Sequence, residues 1–443
     1  MENAGFRPGV LMRVAVVGAG WAGCTAALEL SARGHQVVLL EASRLVGGRA
    51  RRLDLTHEDI SLRVDNGQHI LIGAYTETLR VMRGLGLRPE QLLMRLPLTL
   101  RFADGRGLSL PNARQLPAAL AAAAGILGAR GWTLGEKLTL LRWASGWRLR
   151  RFECAADLSV EDLCRGLPKV LVDELVGPLC VSALNTPVGR ASGRVFLRVL
   201  HDALLSSSGG SDLLLPRCDL STLLPQAAVQ KLREQGQAVE LGARVLTLQH
   251  QAFGWRVQMQ FEGRQKTETA DAVVLACPSR EASRLTSALP QAHAWRQLAL
   301  SLKHEAIATV YACSPQARLA QPMLALKSDS DTQAQFVFDR GQLGGPRGLL
   351  AFVVSASAGD RRALEHSVMA QAERQLGLSL QIVQTLIERR ATFACTPGLL
   401  RPGTEVVAGQ TRLLACGDYI EGPYPATLEG AVRSGLQAAR SLR

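Results

Sequence analysis

Aromatic residues are scarce in this 443-residue chain: Phe, Trp and Tyr together make up 5% of it. The core must therefore be largely aliphatic. A cage of facing aromatic rings around an organic cation is a poor expectation. Long apolar runs are missing too. The longest candidate, Leu116–Ala129 (LPAALAAAAGILGA), is shorter than the roughly 18 to 20 residues that span a bilayer, and it contains Gly125 and Gly128. Met1–Met12 includes Glu2 and has no apolar segment of the secretory kind. The nine cysteines are odd in number and scattered, and none stands in C-x-x-C spacing, which argues against a zinc site or a redox dithiol. They read as small buried hydrophobes in a reducing compartment. These absences predict a cytoplasmic protein, soluble or peripheral at the inner face of a membrane, with no metal centre.

Nucleic-acid signatures are also absent, so no nucleic-acid partner is expected. Yet 51 basic residues against 38 acidic ones leave a net charge of +13. That surplus suits anionic partners such as a lipid surface, or it is simply a solvated basic exterior. A hydrophobic share of 47% with 20% charged residues excludes disordered, collagenous and coiled-coil chains. At about 150 residues per domain the length allows two to three folding units.

The pattern from Arg13 is specific. Val14–Val17 reads as a buried strand, Trp21–Arg33 as a helix ended by Gly34, and Gln36–Leu40 as a second strand. That is a βαβ unit with parallel strands. Gly18, Gly20 and Gly23 form G-x-G-x-x-G between strand and helix, where a dinucleotide pyrophosphate can approach the backbone. Trp21 and Ala22 open the helix whose free N–H groups would face those phosphates. Glu41 stands eighteen residues past the third glycine and can accept from ribose hydroxyls, which disfavours a 2′-phosphate. Gly47, Gly48 and Arg49 follow, giving a second close backbone approach and a cation for the pyrophosphate. An extended dinucleotide, FAD, needs this element and NAD does not.

Further strands are expected at Ala238–Leu241, Arg244–Leu248, Asp271–Ala276 and Thr411–Ala415, joining the first unit in one sheet. Trp255–Phe261 and Lys266–Thr269 suggest a hairpin across Glu262-Gly263, and Leu220–Glu234 and Leu428–Leu442 read as helices. Gly417-Asp418 would end the last strand, with Asp418 suited to a ribityl hydroxyl. Thr427 and Leu428 would begin the final helix, whose amides can face the flavin N1–C2=O2 edge. The fold class is α/β: a Rossmann-type FAD-binding domain interleaved with a mixed sheet plus helical substrate domain. The first occupies 1–95, 211–281 and 391–443. The second occupies 96–210 and 282–390, with 110–205 mainly helical and a Ser206–Ser211 linker.

Together these motifs resemble the flavin amine oxidase and phytoene desaturase superfamily over about the first 75 and the last 35 residues. Asp65–Tyr75 (DNGQHILIGAY) and Tyr424–Gly435 (YPATLEGAVRSG) resemble one branch, the hydroxysqualene dehydroxylases. The resemblance implies noncovalent FAD, held by Gly18, Gly20, Gly23, Glu41, Gly48, Arg49 and Asp418. It implies that Val245 presents its backbone to the adenine and that Gly67, Gln68 and His69 lie along the isoalloxazine. It also implies a polyprenyl substrate, hydroxysqualene, and an electron donor that the sequence does not identify. His69 is then the first candidate proton donor, with simple hydrogen bonding as the alternative. Glu421 and Tyr424 are further catalytic candidates, Tyr424 through its ring face or by packing. Two rival readings stay open: a carotenoid-type desaturase, and a non-catalytic flavoprotein that hands lipid between enzymes. Trp132–Phe152 carries Leu138, Leu141, Trp143 and Trp147 among basic residues and is expected to touch an anionic membrane, or else to pack as an ordinary amphipathic helix.

Overall fold

The computed structural model describes residues 11–57, 60–112, 116–205, 209–329, 332–407, 409 and 412–442. Part of the Ser206–Ser211 linker, Thr411 and most of Met1–Met12 lie outside the described residues. The chain begins with β1 (Arg13–Val17), α1 (Trp21–Ala32) and β2 (Gln36–Glu41). A hairpin of β3 (Arg52–His57) and β4 (Ile60–Asp65) leads to α2 (Thr76–Gly84). A helical block follows with α3 (Ala118–Gly128), α4 (Leu134–Leu149), α5 (Gly177–Leu184) and α6 (Gly193–Leu205). After α7 (Pro225–Glu234) come β5 (Ala238–Leu241), β6 (Arg244–Gln251), β7 (Gly254–Phe261), β8 (Arg264–Ala270) and β9 (Ala272–Leu275). Next are β10 (His304–Cys313), β11 (Met323–Ala325), β12 (Phe336–Asp339), β13 (Leu349–Ser355), α8 (Arg361–Leu376) and β14 (Gln381–Phe393). The chain closes with β15 (Leu413–Ala415) and α9 (Leu428–Ser441).

One five-stranded parallel sheet runs β5-β2-β1-β9-β15. Its central strands are buried on both faces, as their continuous Val, Ala and Leu runs require. Helices α1, α7 and α9 cover one face, in a cluster with Val14, Val16, Leu30 and Val432. The other face packs on Leu248, Trp255, Val257 and Met259. These residues belong to the antiparallel meander β6-β7-β8. Arg244–Leu248 therefore does not join the parallel sheet. It pairs antiparallel with β7 and uses its alternating apolar side to cover that sheet.

The expected helix over Leu220–Glu234 is broken. Leu224 sits at φ −153°, and a new helix starts at Pro225. Proline disfavours a helical residue before it and lacks the N–H to continue the ladder. A second five-stranded sheet, β11-β12-β13-β10-β14, is antiparallel. It carries α8 on one face. On its other face it shares a cluster with Ile126, Trp132 and Leu140 of the helical block.

Candidate active site

The turn after β1 is built where no side chain fits. Gly18 has φ +114°, and a Cβ there would lie 2.7 Å from the Ala276 carbonyl oxygen. A Cβ on Gly23 would lie 1.8 Å from the Gly18 carbonyl oxygen. Gly20 and Gly47 form a parallel bridge, and a Cβ on Gly48 would come 3.3 Å from Gly20 Cα. The two glycine segments thus cross backbone to backbone beside the amino end of α1. Glu41, at the end of β2, accepts from the Ala19 amide (2.7 Å) and the Ser43 amide (2.8 Å). Each carboxylate oxygen keeps a further lone pair for a ligand hydroxyl.

A 590 Å³ cavity opens over this turn. Its wall includes Gly18, Gly20, Trp21, Ala22, Glu41, Gly47, Gly48, Arg49, Gly67, Gln68, His69, Val245, Gly417, Asp418, Thr427 and Leu428, all anticipated from the sequence. Gly23 lies behind the wall, closing the turn onto α1, so its part is packing rather than contact. The Val245 carbonyl accepts from Arg284 (2.9 Å).

At the carboxyl end, the Arg49 guanidinium donates to Asp418 Oδ1 (2.5 Å) and to the Ala391 carbonyl (2.7 Å). The carboxylate holds the Arg49 pKa above its ordinary value. Thr427 caps α9 by accepting from the Gly430 amide (2.9 Å), leaving the helix amino end on the cavity wall. Glu429, fully buried, accepts from the Glu77 and Thr78 amides, the Thr78 hydroxyl and Arg433. It thereby caps α2, the helix that follows the Gly67–His69 loop.

That loop is tied from behind. Arg340 donates to Gln68 Oε1 (3.1 Å), and the Tyr311 hydroxyl donates to the Asp65 carbonyl (3.0 Å). Asp65 is buried; desolvation pushes its pKa up to about 7, against the opposing pull of the Leu220 amide and Arg340. The His69 ring faces the cavity with Nδ1 2.7 Å from the Gly67 carbonyl, which can only accept. In the neutral ring the proton sits on Nδ1 and Nε2 is an acceptor. Burial lowers the His69 pKa below 6.5, more than the Gly67 contact raises it.

Other wall residues gave no sequence signal. Ile307, Phe336, Phe338 and Val353 project from the antiparallel sheet, with Asn185, Ser355, Glu388 and Thr392 as polar neighbours. Asn66 Nδ2 donates to Glu388 Oε2 (3.3 Å). Asn185, at φ 45°, donates to Thr392 Oγ1 (2.9 Å) and accepts from the Ala356 amide (2.7 Å), joining α5 to both β14 and the end of β13. The short apolar run Phe336–Phe338 reads as a strand but carries no sign of which side faces a ligand.

Two catalytic candidates are corrected. Glu421 is exposed and off the wall, its loop turned outward where its amide bonds the Pro402 carbonyl (2.9 Å). Tyr424 is also off the wall: Arg433 covers its ring at 4.9 Å and Tyr75 meets it edge-on at 6.1 Å. One face of its ring is thus taken by a cation of the protein itself, and the ring packs against α9 rather than on the cavity wall. Trp143 and Trp147 likewise turn inward. Trp143 Nε1 donates to the Leu163 carbonyl (2.7 Å), and Trp147 is buried beside Leu163 and Leu197.

The fold and this cradle define a flavin-dependent oxidoreductase. Gly18 and Gly47, which leave no room for a Cβ, lie on one cavity wall with an acid, an arginine and two helix amino ends, and this donor set fits FAD. The chain belongs to the flavin containing amine oxidoreductase family, matching over residues 21–443, and within it to the hydroxysqualene dehydroxylases. It is 30% identical to the hydroxysqualene dehydroxylase of Rhodopseudomonas palustris, with 96% of this chain and 97% of that one covered. It is 27% identical to that of Sinorhizobium fredii, over the same shares. An oxidoreductase from Methanosarcina mazei shares the fold at a TM-score of 0.72 and 15% identity, covering 97% of this chain and all of that one. FAD is the cofactor, and the chain is an FAD-dependent oxidoreductase. No helix among the described residues is long and apolar enough to cross a membrane.

Proposed function

We propose that this enzyme removes the hydroxyl of hydroxysqualene reductively and releases squalene. Two electrons and two protons enter, the C–O bond breaks, a C–H bond forms and water leaves. Bound and reduced FAD supplies the hydride equivalent. The observation that carries the reading is the continuity of the cavity from the Gly18–Gly20 turn to the apolar wall of Ile307, Phe336, Phe338 and Val353. A C30 polyprenyl chain has almost nothing to hydrogen-bond, so its affinity must come from apolar burial at roughly 25 cal/mol per Å². The relatives named above supply the substrate class.

In this reading residues 1–95, 211–281 and 391–443 hold the cofactor noncovalently. Residues 96–210 and 282–390 hold the lipid. His69 Nε2 accepts from the substrate hydroxyl and positions it. On protonation the same nitrogen delivers the proton with which the hydroxyl leaves as water. The allylic cation so formed spreads its charge over three carbons beside the Glu388 carboxylate. Burial keeps the His69 ring mostly neutral near pH 7, so this proton is delivered only on demand. The electron donor lies outside what these residues define.

The test is a titration of the FAD-loaded protein with hydroxysqualene, read as a perturbation of the flavin absorbance. Phe338→Arg is expected to abolish that perturbation while FAD stays bound. An unchanged titration in the variant would sink the apolar wall as the lipid site.

A further inference from the structure

The surface formed by α3 and α4 is wrong for water. Residues 118–128 contain no polar side chain (AALAAAAGILG), yet only Gly125 and Ile126 of this helix are buried. A helix at a protein surface ordinarily presents a polar face. Here the outward face carries Leu120 (57% exposed) and Leu127 (49%), preceded by Leu116. Leu120 and Leu127 are seven residues apart, about two turns, and so lie on one side of the helix. On α4, Leu134 (67%) and Leu138 (47%) continue the patch, and Lys137 Nζ donates to the Leu127 carbonyl (2.8 Å), fastening the two helices together. Among the described residues, five of the eleven exposed large apolar side chains lie between 116 and 138. So much contiguous apolar surface marks an interaction site.

The charges around it are one-sided. Between 116 and 151 stand Arg130, Lys137, Arg142, Arg148, Arg150 and Arg151 against a single acid, Glu136. That acid is turned back onto the Thr133 amide (2.7 Å) in the cap of α4. Arg130, Arg142 and Arg148 are exposed. The buried side of the same helices points the other way: Ile126, Trp132 and Leu140 share one apolar cluster with Phe336, Phe338 and Val353. Those three line the cavity.

We propose that the α3–α4 surface seats on an anionic lipid bilayer, with Leu116, Leu120, Leu127, Leu134 and Leu138 in the headgroup boundary and the arginines against phosphate. Apolar insertion and electrostatic attraction act together in such a contact. It uses a different face from Trp143 and Trp147, which are turned into the protein. It also sets the apolar wall of the cavity one layer of side chains behind the membrane. Choosing lipid over protein as the occupant rests in part on the polyprenyl substrate reading. Vesicle binding requires no substrate, so its failure would leave that reading standing.

The experiment is flotation of the full FAD-loaded chain with vesicles containing phosphatidylglycerol, and with phosphatidylcholine vesicles alone, at low and high salt. The wild type is expected to float with the anionic vesicles and to release as salt rises. The triple variant Leu120→Glu, Leu127→Glu, Leu138→Glu is expected to bind at least about tenfold more weakly, because three apolar contacts are lost and negative charge is added. Phe253→Glu, at an exposed turn outside the patch, is expected to bind as the wild type. If the triple variant loses its flavin, the milder pair Leu134→Ser, Leu138→Ser takes its place, with a smaller loss expected. Wild-type protein that stays unbound at low salt, or variants that float as well as wild type, overturn the proposal. So does a wild-type dimer that the triple variant converts to monomer without changing vesicle binding, since the occupant would then be a second copy.

Discussion

Arg49 and Asp418, 369 positions apart in sequence, meet in a 2.5 Å ion pair on the cavity wall. Read separately, one was assigned to the pyrophosphate and the other to a ribityl hydroxyl. Together they are a clasp between the two ends of the chain, strengthened by the Arg49 bond to Ala391. Asp418→Ala should free the guanidinium and weaken FAD retention by about 1.5–3 kcal/mol, the range for hydrogen bonds to charged groups. Arg49→Ala combined with it should cost less than the sum of the two single changes. Equilibrium dialysis of FAD over the four proteins measures this. Strictly additive losses would mean that the pair does not act as a unit.

Glu41→Ala removes the acceptor of the Ala19 and Ser43 amides as well as the proposed ribose partner. Its effect should therefore appear twice: as FAD lost on gel filtration and as a lower Tm of the apoprotein. A change in FAD retention with an unmoved apoprotein Tm would show that the two amide bonds do not support the turn.

Close packing of the two terminal segments is open to direct test. A Cβ on Gly435 would lie 2.3 Å from the Ala22 carbonyl oxygen, across the contact between α1 and α9. Gly435→Ala should destabilise the fold by at least about 2 kcal/mol, since backbone cannot yield as a flexible side chain does. Gly128→Ala, where nothing lies within 4 Å, is the matched control and should leave Tm unchanged or raised.

These contacts show why the cofactor half was legible in the sequence. Gly18 and Gly23 are demanded by backbone approach, and Glu41, Arg49 and Asp418 by charge. Such local requirements stand in the sequence at fixed spacings. The apolar wall of the cavity has no such requirement. Phe338, Val353 and Ile307 are ordinary strand residues until the antiparallel sheet brings them to one face. Glu388 and Asn66 meet across 322 positions. The Tyr424 placement has the same origin: its motif is visible in the sequence, but Arg433, nine residues on and inside α9, covers the ring only in three dimensions.

Asp65 should shape the pH dependence of stability. Its pKa is about 7 in the folded chain against 3.8 for the free side chain, so the folded state holds a proton that the unfolded state has lost between those values. Stability should accordingly fall as pH rises from about 4 to about 7 and then level off with respect to this group. Asp65→Asn keeps an acceptor for the Leu220 amide and removes the titration. The variant should match the wild type near pH 4 and exceed it at pH 8 in thermal denaturation. Parallel curves for the two proteins would contradict the assignment.

His69 titrates in the opposite sense. Its lowered pKa means that the protonated ring gains population only below 6.5. Turnover limited by this proton should rise as pH falls through that region, while stability declines there because the buried ring resists charging. His69→Asn should lower kcat by about 10²–10⁴, the range for general acid–base groups, and flatten the profile. Retention of a wild-type pH profile in the variant would move the proton elsewhere on the wall, to Glu388 first.

In the proposed reaction reduced flavin gives up two electrons as the substrate hydroxyl leaves as water. The most direct measurement mixes photoreduced, oxygen-free protein with hydroxysqualene in a single turnover, following the flavin absorbance and extracting the lipid for mass spectrometry. Return of the oxidised flavin spectrum and one equivalent of squalene per flavin are expected. Flavin that stays reduced with hydroxysqualene intact, or oxidised protein that instead becomes reduced by a polyene hydrocarbon, would contradict that reaction.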